Sequence, residues 1–199
     1  MRRLIATLIA AAVLALPLAA GAATWDIDPG HSGVEFKIRH FFSKVPGSFT
    51  DYSGTIEFDP ENPLASSVEV IIQTASVNTN DEKRDGHLQS PDFFNVEEFP
   101  EMTFKSTKVK KGKGDLLLIE GVLTMLGVEK PVTLEGEFFG SGPDAWGGTR
   151  AGFSATTTIN RKDFGMEWNK AMDKGGAILG EDVAISIEIE AVLHVKEVE

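Results

Sequence analysis

The chain has 199 residues, the size of one ordinary domain with a little to spare, and is 42% hydrophobic and 25% charged, which excludes a disordered chain and a multi-span membrane protein. Lys and Arg number 19 against 30 Asp and Glu, for a net charge of −11; so acidic a surface repels polyphosphate chains and anionic membranes at long range, and nucleic acid is not an expected partner. There is no cysteine, so disulfides, thiolate nucleophiles, Cys-ligated metals and a lipoprotein anchor are excluded.

At the N-terminus Arg2 and Arg3 precede an almost uninterrupted apolar run from Leu4 to Leu16, followed by Pro17 and a small-residue stretch ending in Ala20-Gly21-Ala22. A short basic segment, an apolar stretch too brief to span a bilayer with margin and an A-x-A site describe a secretory signal peptide. Residues 1–22 are therefore expected to be cleaved. Residues 23–199 are expected to form a single periplasmic domain, more acidic still once the two arginines are gone.

After the leader the dominant pattern is alternation. Val34, Phe36, Ile38 and His40 point one way, and Glu35, Lys37 and Arg39 the other, as in a half-buried strand. Noisier runs of period two cover Gly54 to Phe58, Val68 to Thr74, Met102 to Val109, Leu116 to Met125, Val132 to Phe139 and Arg150 to Ile159. The last, from Val183 to Val195, is the longest. Turn formers separate these eight runs: Pro46-Gly47, Asp59-Pro60, Asn62-Pro63, Gly112 with Gly114, Gly127, Gly140 with Gly142-Pro143, and Gly147-Gly148. Only Asn80 to Leu88 reads as helix, with Asp81 and Glu82 suited to its start; Ser90-Pro91-Asp92 is a candidate cap for a second short one. The expected fold is all-β, an extended eight-stranded antiparallel barrel with one or two short helices; closure removes exposed edges. A sandwich is the alternative, and strand length favours the barrel, since thirteen residues at about 3.3 Å each far exceed the usual strand.

Chemistry-bearing residues are sparse. The four histidines, His31, His40, His87 and His194, are scattered without metal-ligand spacing, so neither a metal nor another cofactor is expected. Asp28, His31 and Ser32 invite a catalytic-triad reading, but neighbours on a strand face opposite ways and no nucleophile elbow is present. Asp28-Pro29 reads as a turn instead. Gly112-Lys113-Gly114-Asp115 lacks the spacing of a phosphate loop and reads as a hairpin tip. Thirteen phenylalanines stand against one tyrosine, which suits a dry core, the default reading, or the lining of a tunnel for hydrocarbon.

Taken in order, several segments resemble the YceI-like family of polyisoprenoid-binding proteins with a lipocalin-like barrel. They are Trp25-x-Ile27-Asp28-Pro29-x-His31-Ser32; His40 with Val45-x-Gly47-x-Phe49; Ser76-Val77-x-Thr79; Arg84-Asp85-x-His87-Leu88-x-Ser90-x-Asp92-Phe93-Phe94; and Phe99-Pro100-x-Met102-x-Phe104. Further on come Gly121-x-Leu123-Thr124-x-x-Gly127-Val128 and Asn160-Arg161-x-Asp163-Phe164-Gly165.

The resemblance implies a non-catalytic carrier, usually a homodimer, whose elongated cavity holds a prenyl pyrophosphate or an isoprenoid quinone. Separately, transient membrane contact is an expectation for such a carrier, and no membrane span is expected in the mature chain. On that reading Phe36, Ile38, Phe49, Phe93, Phe94, Phe104, Leu118, Val122, Phe138, Phe153, Ile187 and Ile189 line the cavity, and His40, Arg84, His87, Asn160 and Arg161 meet the head group. The long stretch from Met166 to Gly180 shapes the mouth. Two alternatives stay open: an enzyme acting on a lipid in the same cavity through His40, His87 or Asp163, and a structural or stress-response barrel filled by its own side chains.

Overall fold

The computed structural model describes residues 22–171 and 177–194; the expected leader lies outside them apart from its last residue. Eleven strands form one antiparallel sheet: β1 (Ala23–Ile27), β2 (Gly33–His40), β3 (Ser43–Phe49), β4 (Tyr52–Phe58), β5 (Ser67–Gln73), β6 (Val77–Asn78), β7 (Glu101–Lys111), β8 (Leu117–Met125), β9 (Val128–Pro143), β10 (Thr149–Asn160) and β11 (Leu179–Leu193). Among the described residues a single α-helix, α1 (Glu82–Gln89), interrupts them. The order β1-β4-β5-β7-β8-β9-β10-β11 returns to β1 through a β1–β11 pairing, which closes an eight-stranded barrel. The sandwich alternative is thereby set aside.

β1 and β2 are two halves of one path along β11. Ile27 pairs with Ala191 and Gly33 with Glu188, and between them the chain makes a short 3-10 turn over Pro29–His31. Side chains stitch this break. Ser32 Oγ donates to Glu190 O (3.1 Å) and accepts from Glu190 N (3.0 Å), restoring the ladder bonds that the turn removes. Asp28 accepts from Gly30 N and from the His31 ring, and Arg150 Nη1 donates to it at 2.6 Å. Arg150 also pairs with Glu190 and Asp144. Asp28, His31 and Ser32 are thus a splice in the barrel wall and not a triad, because the serine bonds to β11 and not to the histidine.

This network carries a pH signature. Arg150 first, and then His31, hold the Asp28 carboxyl down at about 2. A carboxyl of an unfolded chain titrates near 3.9, so the stabilisation is complete above about pH 4 and disappears as pH falls towards about 2. Arg150→Gln is expected to melt roughly 2–4 °C lower than the parent at neutral pH. Thermal unfolding across the acid range should show that gap closing within the same window; a gap independent of pH would contradict it.

Two runs of turn-forming residues proved to lie within strands. Pro46-Gly47 is in β3, opposite Lys37 and Phe36 of β2. Proline is tolerated there because β3 is an edge strand over this stretch, pairing with β6 only at Ser48 and Phe49. Glycine is needed because a Cβ at Gly47 would lie 2.3 Å from the Phe36 ring. Gly121 of β8 gives way to the Phe104 ring in the same manner, at 2.4 Å. Gly140 and Gly142-Pro143 extend β9, whose register with β10 shifts at Gly152/Phe153. The Gly112 to Asp115 segment is the expected hairpin tip, closed by Gly112 N to Leu116 O at 2.8 Å.

α1 starts where the acidic pair suggested, with Asp81 accepting from Arg84 N at 3.0 Å. The second short helix does not form; residues 91–94 and 96–98 are turns, and the first of these carries Phe93 and Phe94 into the core. Val195, expected to prolong the last strand, lies outside the described residues.

Candidate functional site

Alternation sends one face of every long strand inward, and that face encloses a cavity of about 380 Å³. β11 contributes Val183, Ile185, Ile187 and Ile189; β2 contributes Val34, Phe36, Ile38 and His40; β8 contributes Leu117, Ile119, Leu123 and Met125. From Leu179 to Ile189 the wall follows one strand for about 33 Å, or roughly 25 Å along the barrel axis at a strand tilt of about 40°. The void is long and narrow.

Its two ends differ. At the end formed by Phe58, Phe138 and Phe153 the three rings pack with centroids 4.5 to 5.3 Å apart, a plug of apolar bulk. The opposite end gathers cations and aromatic rings. His40 pairs with Leu179 at the start of β11, and the next residue, Gly180, accepts from Arg161 Nε at 2.9 Å. Arg161 Nη1 donates to Met166 O, and two residues on, the Trp168 ring lies 4.9 Å from the His87 ring and 5.2 Å from Phe93. His40, Thr79, Arg84, His87, Arg161, Met166 and Trp168 all reach the cavity wall.

Arg161 has the most unusual environment of this group. It is 1% exposed, its two bonded nitrogens are held by main-chain carbonyls, and among the described residues Nη2 has no partner. Burial pushes its guanidinium below its ordinary range, with the more distant Glu181 only partly opposing. A buried cation with an unused donor on the wall of an apolar void is an unfilled valence for an anion or a strong acceptor. The 3-10 turn Arg161–Phe164 fixes its position: Asn160 caps that turn by accepting from Lys162 N, and Gly165 ends it in the left-handed region at φ 85.

The other expected head-group residues differ in how free they are. Arg84 is on the wall but committed, donating from Nε to Thr79 Oγ1 (2.7 Å) and from Nη2 to Thr79 O (2.8 Å). His87 is on the wall with Nε2 3.0 Å from Asp92. His40 is on the wall, edge-on to Phe41 at 4.8 Å. Asn160 is not; its side chain is spent on the cap.

Of the expected apolar lining, Phe36, Ile38, Phe49, Phe93, Phe94, Phe104, Phe138, Phe153, Ile187 and Ile189 reach the cavity, while Leu118 and Val122 do not. Those two are on the outer face of β8, whose inward residues are the odd-numbered ones. The run Leu116 to Ile119 is apolar on both faces, so its phase could not be read, and the glycine that takes the Phe104 ring sets it. Sequence reading also missed Trp168, Met166 and Tyr52. Trp168 and Met166 lie in the expected mouth loop, of which residues 172–176 are outside the described part. Tyr52 is buried on the cavity wall, and burial, with Asp28 adding to it, raises its hydroxyl above the usual range.

Among the described residues one group has the types and proximity to hold a metal ion, Asp28, His31 and Glu190. Arg150 sits among their carboxylates, so the charge that an ion would supply is already present.

The fold and its interior define the class: a hollow antiparallel barrel with an elongated apolar lumen, plugged by aromatic rings at one end and cationic at the other. Residues 25–191 match the YceI-like domain, and the chain belongs to that family. It is 48% identical over 164 residues to Protein YceI of Escherichia coli O157:H7, covering 82% of this chain and 83% of that one. The structure of the Campylobacter jejuni YCEI protein is 35% identical and superposes with a TM-score of 0.67, over 77% of this chain and 88% of that one. Two more distant barrels share the fold alone. Burkholderia cenocepacia BcnA has a TM-score of 0.73 at 22% identity, over 83% and 99% of the two chains. A polyisoprenoid binding domain from Saccharophagus degradans has 0.61 at 14%, over 87% and 99%.

Proposed function

We propose that this protein is a non-catalytic periplasmic carrier of a polyisoprenoid lipid, with the prenyl tail in the lumen and the head group, a pyrophosphate or a quinone, at the Arg161 end. The observation that carries the reading is the pairing of a long apolar void with a buried arginine that has an unused donor at one end of it. At about 0.8 kcal/mol per buried CH₂, several isoprene units in the lumen outweigh the ordering cost of a flexible chain and the entropy of association. The wall then needs only shape, and Arg161 supplies orientation. The polyisoprenoid-binding relative of the same fold supports the ligand class, and the N-terminal leader supports the compartment. A homodimer belongs to the proposal on the family resemblance.

The test is organic extraction of protein purified from its own cell envelope, followed by mass spectrometry. A prenyl lipid near one per chain is the expected result. Repeatedly empty extracts, together with no uptake of added prenyl lipids, would refute the proposal. Turnover of a bound prenyl pyrophosphate that vanished on replacing His40, His87 or Asp163 would instead make the protein an enzyme.

A further inference from the structure

We infer that the β2–β3 hairpin is a docking element for an anionic lipid bilayer, with Phe41 and Phe42 entering the interface and Lys37, Arg39 and Lys44 meeting the lipid phosphates. The inference deepens the proposed carrier function, since it names the surface against which the mouth is held.

The hairpin is chemically odd. β2 and β3 are joined by two residues only, Phe41 and Phe42. Such turns favour glycine, asparagine or aspartate, yet Phe41 occupies the left-handed region at φ 50. Neither ring is needed for the core: Phe42 is 97% exposed and Phe41 40%. The tip is nevertheless held in place. Phe41 N donates to Ile178 O at 2.8 Å and Arg39 Nη1 to Phe41 O at 3.1 Å. Two phenylalanines are therefore presented to solvent on a fixed support, which suits an aromatic wedge at the boundary between head groups and acyl chains.

Charge identifies the partner. On the outward face of the hairpin Arg39 is directly opposite Lys44, and Lys37 lies one pair further back. All three are exposed, and the first acid on that face is Glu35, a further pair away. Glu181 and Asp182 at the start of β11 border the patch, and Glu181 is held by Lys162 at 2.5 Å. In a chain of net charge −11 this is a local reversal of sign. It overcomes the long-range repulsion only at contact and only in this orientation. His40, which precedes the tip, is on the cavity wall, so a bilayer engaged by the hairpin faces the cationic end of the lumen.

Flotation with vesicles tests it, comparing phosphatidylcholine alone with phosphatidylcholine mixed with phosphatidylglycerol. The expected results are association with the anionic vesicles that weakens as salt is raised, an affinity about tenfold lower for Phe42→Ser, and a comparable loss for the pair Lys37→Glu and Lys44→Glu. Phe42 supports nothing in the fold, so Phe42→Ser should melt with the parent protein. It should also keep its extractable lipid, which separates failure of docking from failure of the carrier reading. Equal binding by Phe42→Ser, or no binding to either vesicle, would overturn the inference. So would a concentration-dependent dimer abolished by Phe42→Ser in the absence of any vesicle association, which would assign the tip to a second copy of the chain.

Discussion

Replacing Arg161 with methionine is expected to lower the affinity for a prenyl pyrophosphate by about 100-fold, the effect of removing one partner of a buried, charge-assisted hydrogen bond. The affinity for a prenyl alcohol with the same tail should change by no more than about threefold, since the lumen that grips the tail is untouched. Stability moves in two opposing directions. Gly180 O and Met166 O lose their donors, but a buried cation without a carboxylate partner is also removed, and the desolvation it suffered goes with it. The ligand-free variant should therefore stay within about 2 kcal/mol of the parent. Titration calorimetry with the two ligands reads the contrast. Arg161→Lys, which keeps charge with a single donor centre, should fall between. Equal losses for pyrophosphate and alcohol would mean that the arginine only shapes the mouth.

The second large effect is expected from filling the lumen. Ile187 is at mid-barrel, opposite Val34 of β2 and Ala155 of β10, and packs against the Phe104, Leu134 and Ala155 cluster. A tryptophan there would project its ring across the narrow void. Ile187→Trp should lose prenyl-lipid binding by at least about 30-fold while its stability changes by no more than about 2 kcal/mol, because the added bulk enters empty space as well as pressing on neighbours. Lipid content after purification and denaturant unfolding are the two readouts. Retained binding would place the ligand elsewhere. Loss of binding together with loss of folding would be uninformative for this variant, and a milder filling at Val132, also on the wall, would then decide.

The parts of this architecture legible in the sequence share a physical cause. β2 and β11 were readable because only one face of each is apolar, so period two survives the core's demand for bulk. Phe36, Ile38, Ile187 and Ile189 face the cavity on that alternation. β8 was legible as a strand but not in phase: Leu117, Leu118 and Ile119 are apolar on both faces, and which face turns inward is settled by where a ring on the neighbouring strand needs a glycine. β1 was overlooked because its five residues run directly into Asp28-Pro29 and look like the approach to a turn. β3 was overlooked because Pro46-Gly47 is forbidden in a central strand yet harmless at an edge.

The candidate site divides along the same line. The oily wall follows from alternation. The cationic end is built from segments distant in the chain, β2, α1, the 3-10 turn after β10 and the residues around Met166, and no local pattern reveals that they meet. Arg161 was recognised from a motif. Its unpaired Nη2, among the described residues, is a property of the packed protein. Asn160, its neighbour in that motif, serves the turn and not the cavity.

A carrier of this kind must hold a guest inside its barrel. The most direct measurement is a high-resolution crystal structure of the protein with an added long-chain prenyl pyrophosphate. It should show continuous density along the lumen from the Phe138 and Phe153 plug towards Arg161, with the first phosphate within hydrogen-bonding distance of Nη2. A lumen closed by its own side chains, or a pyrophosphate bound outside an empty barrel, would contradict it.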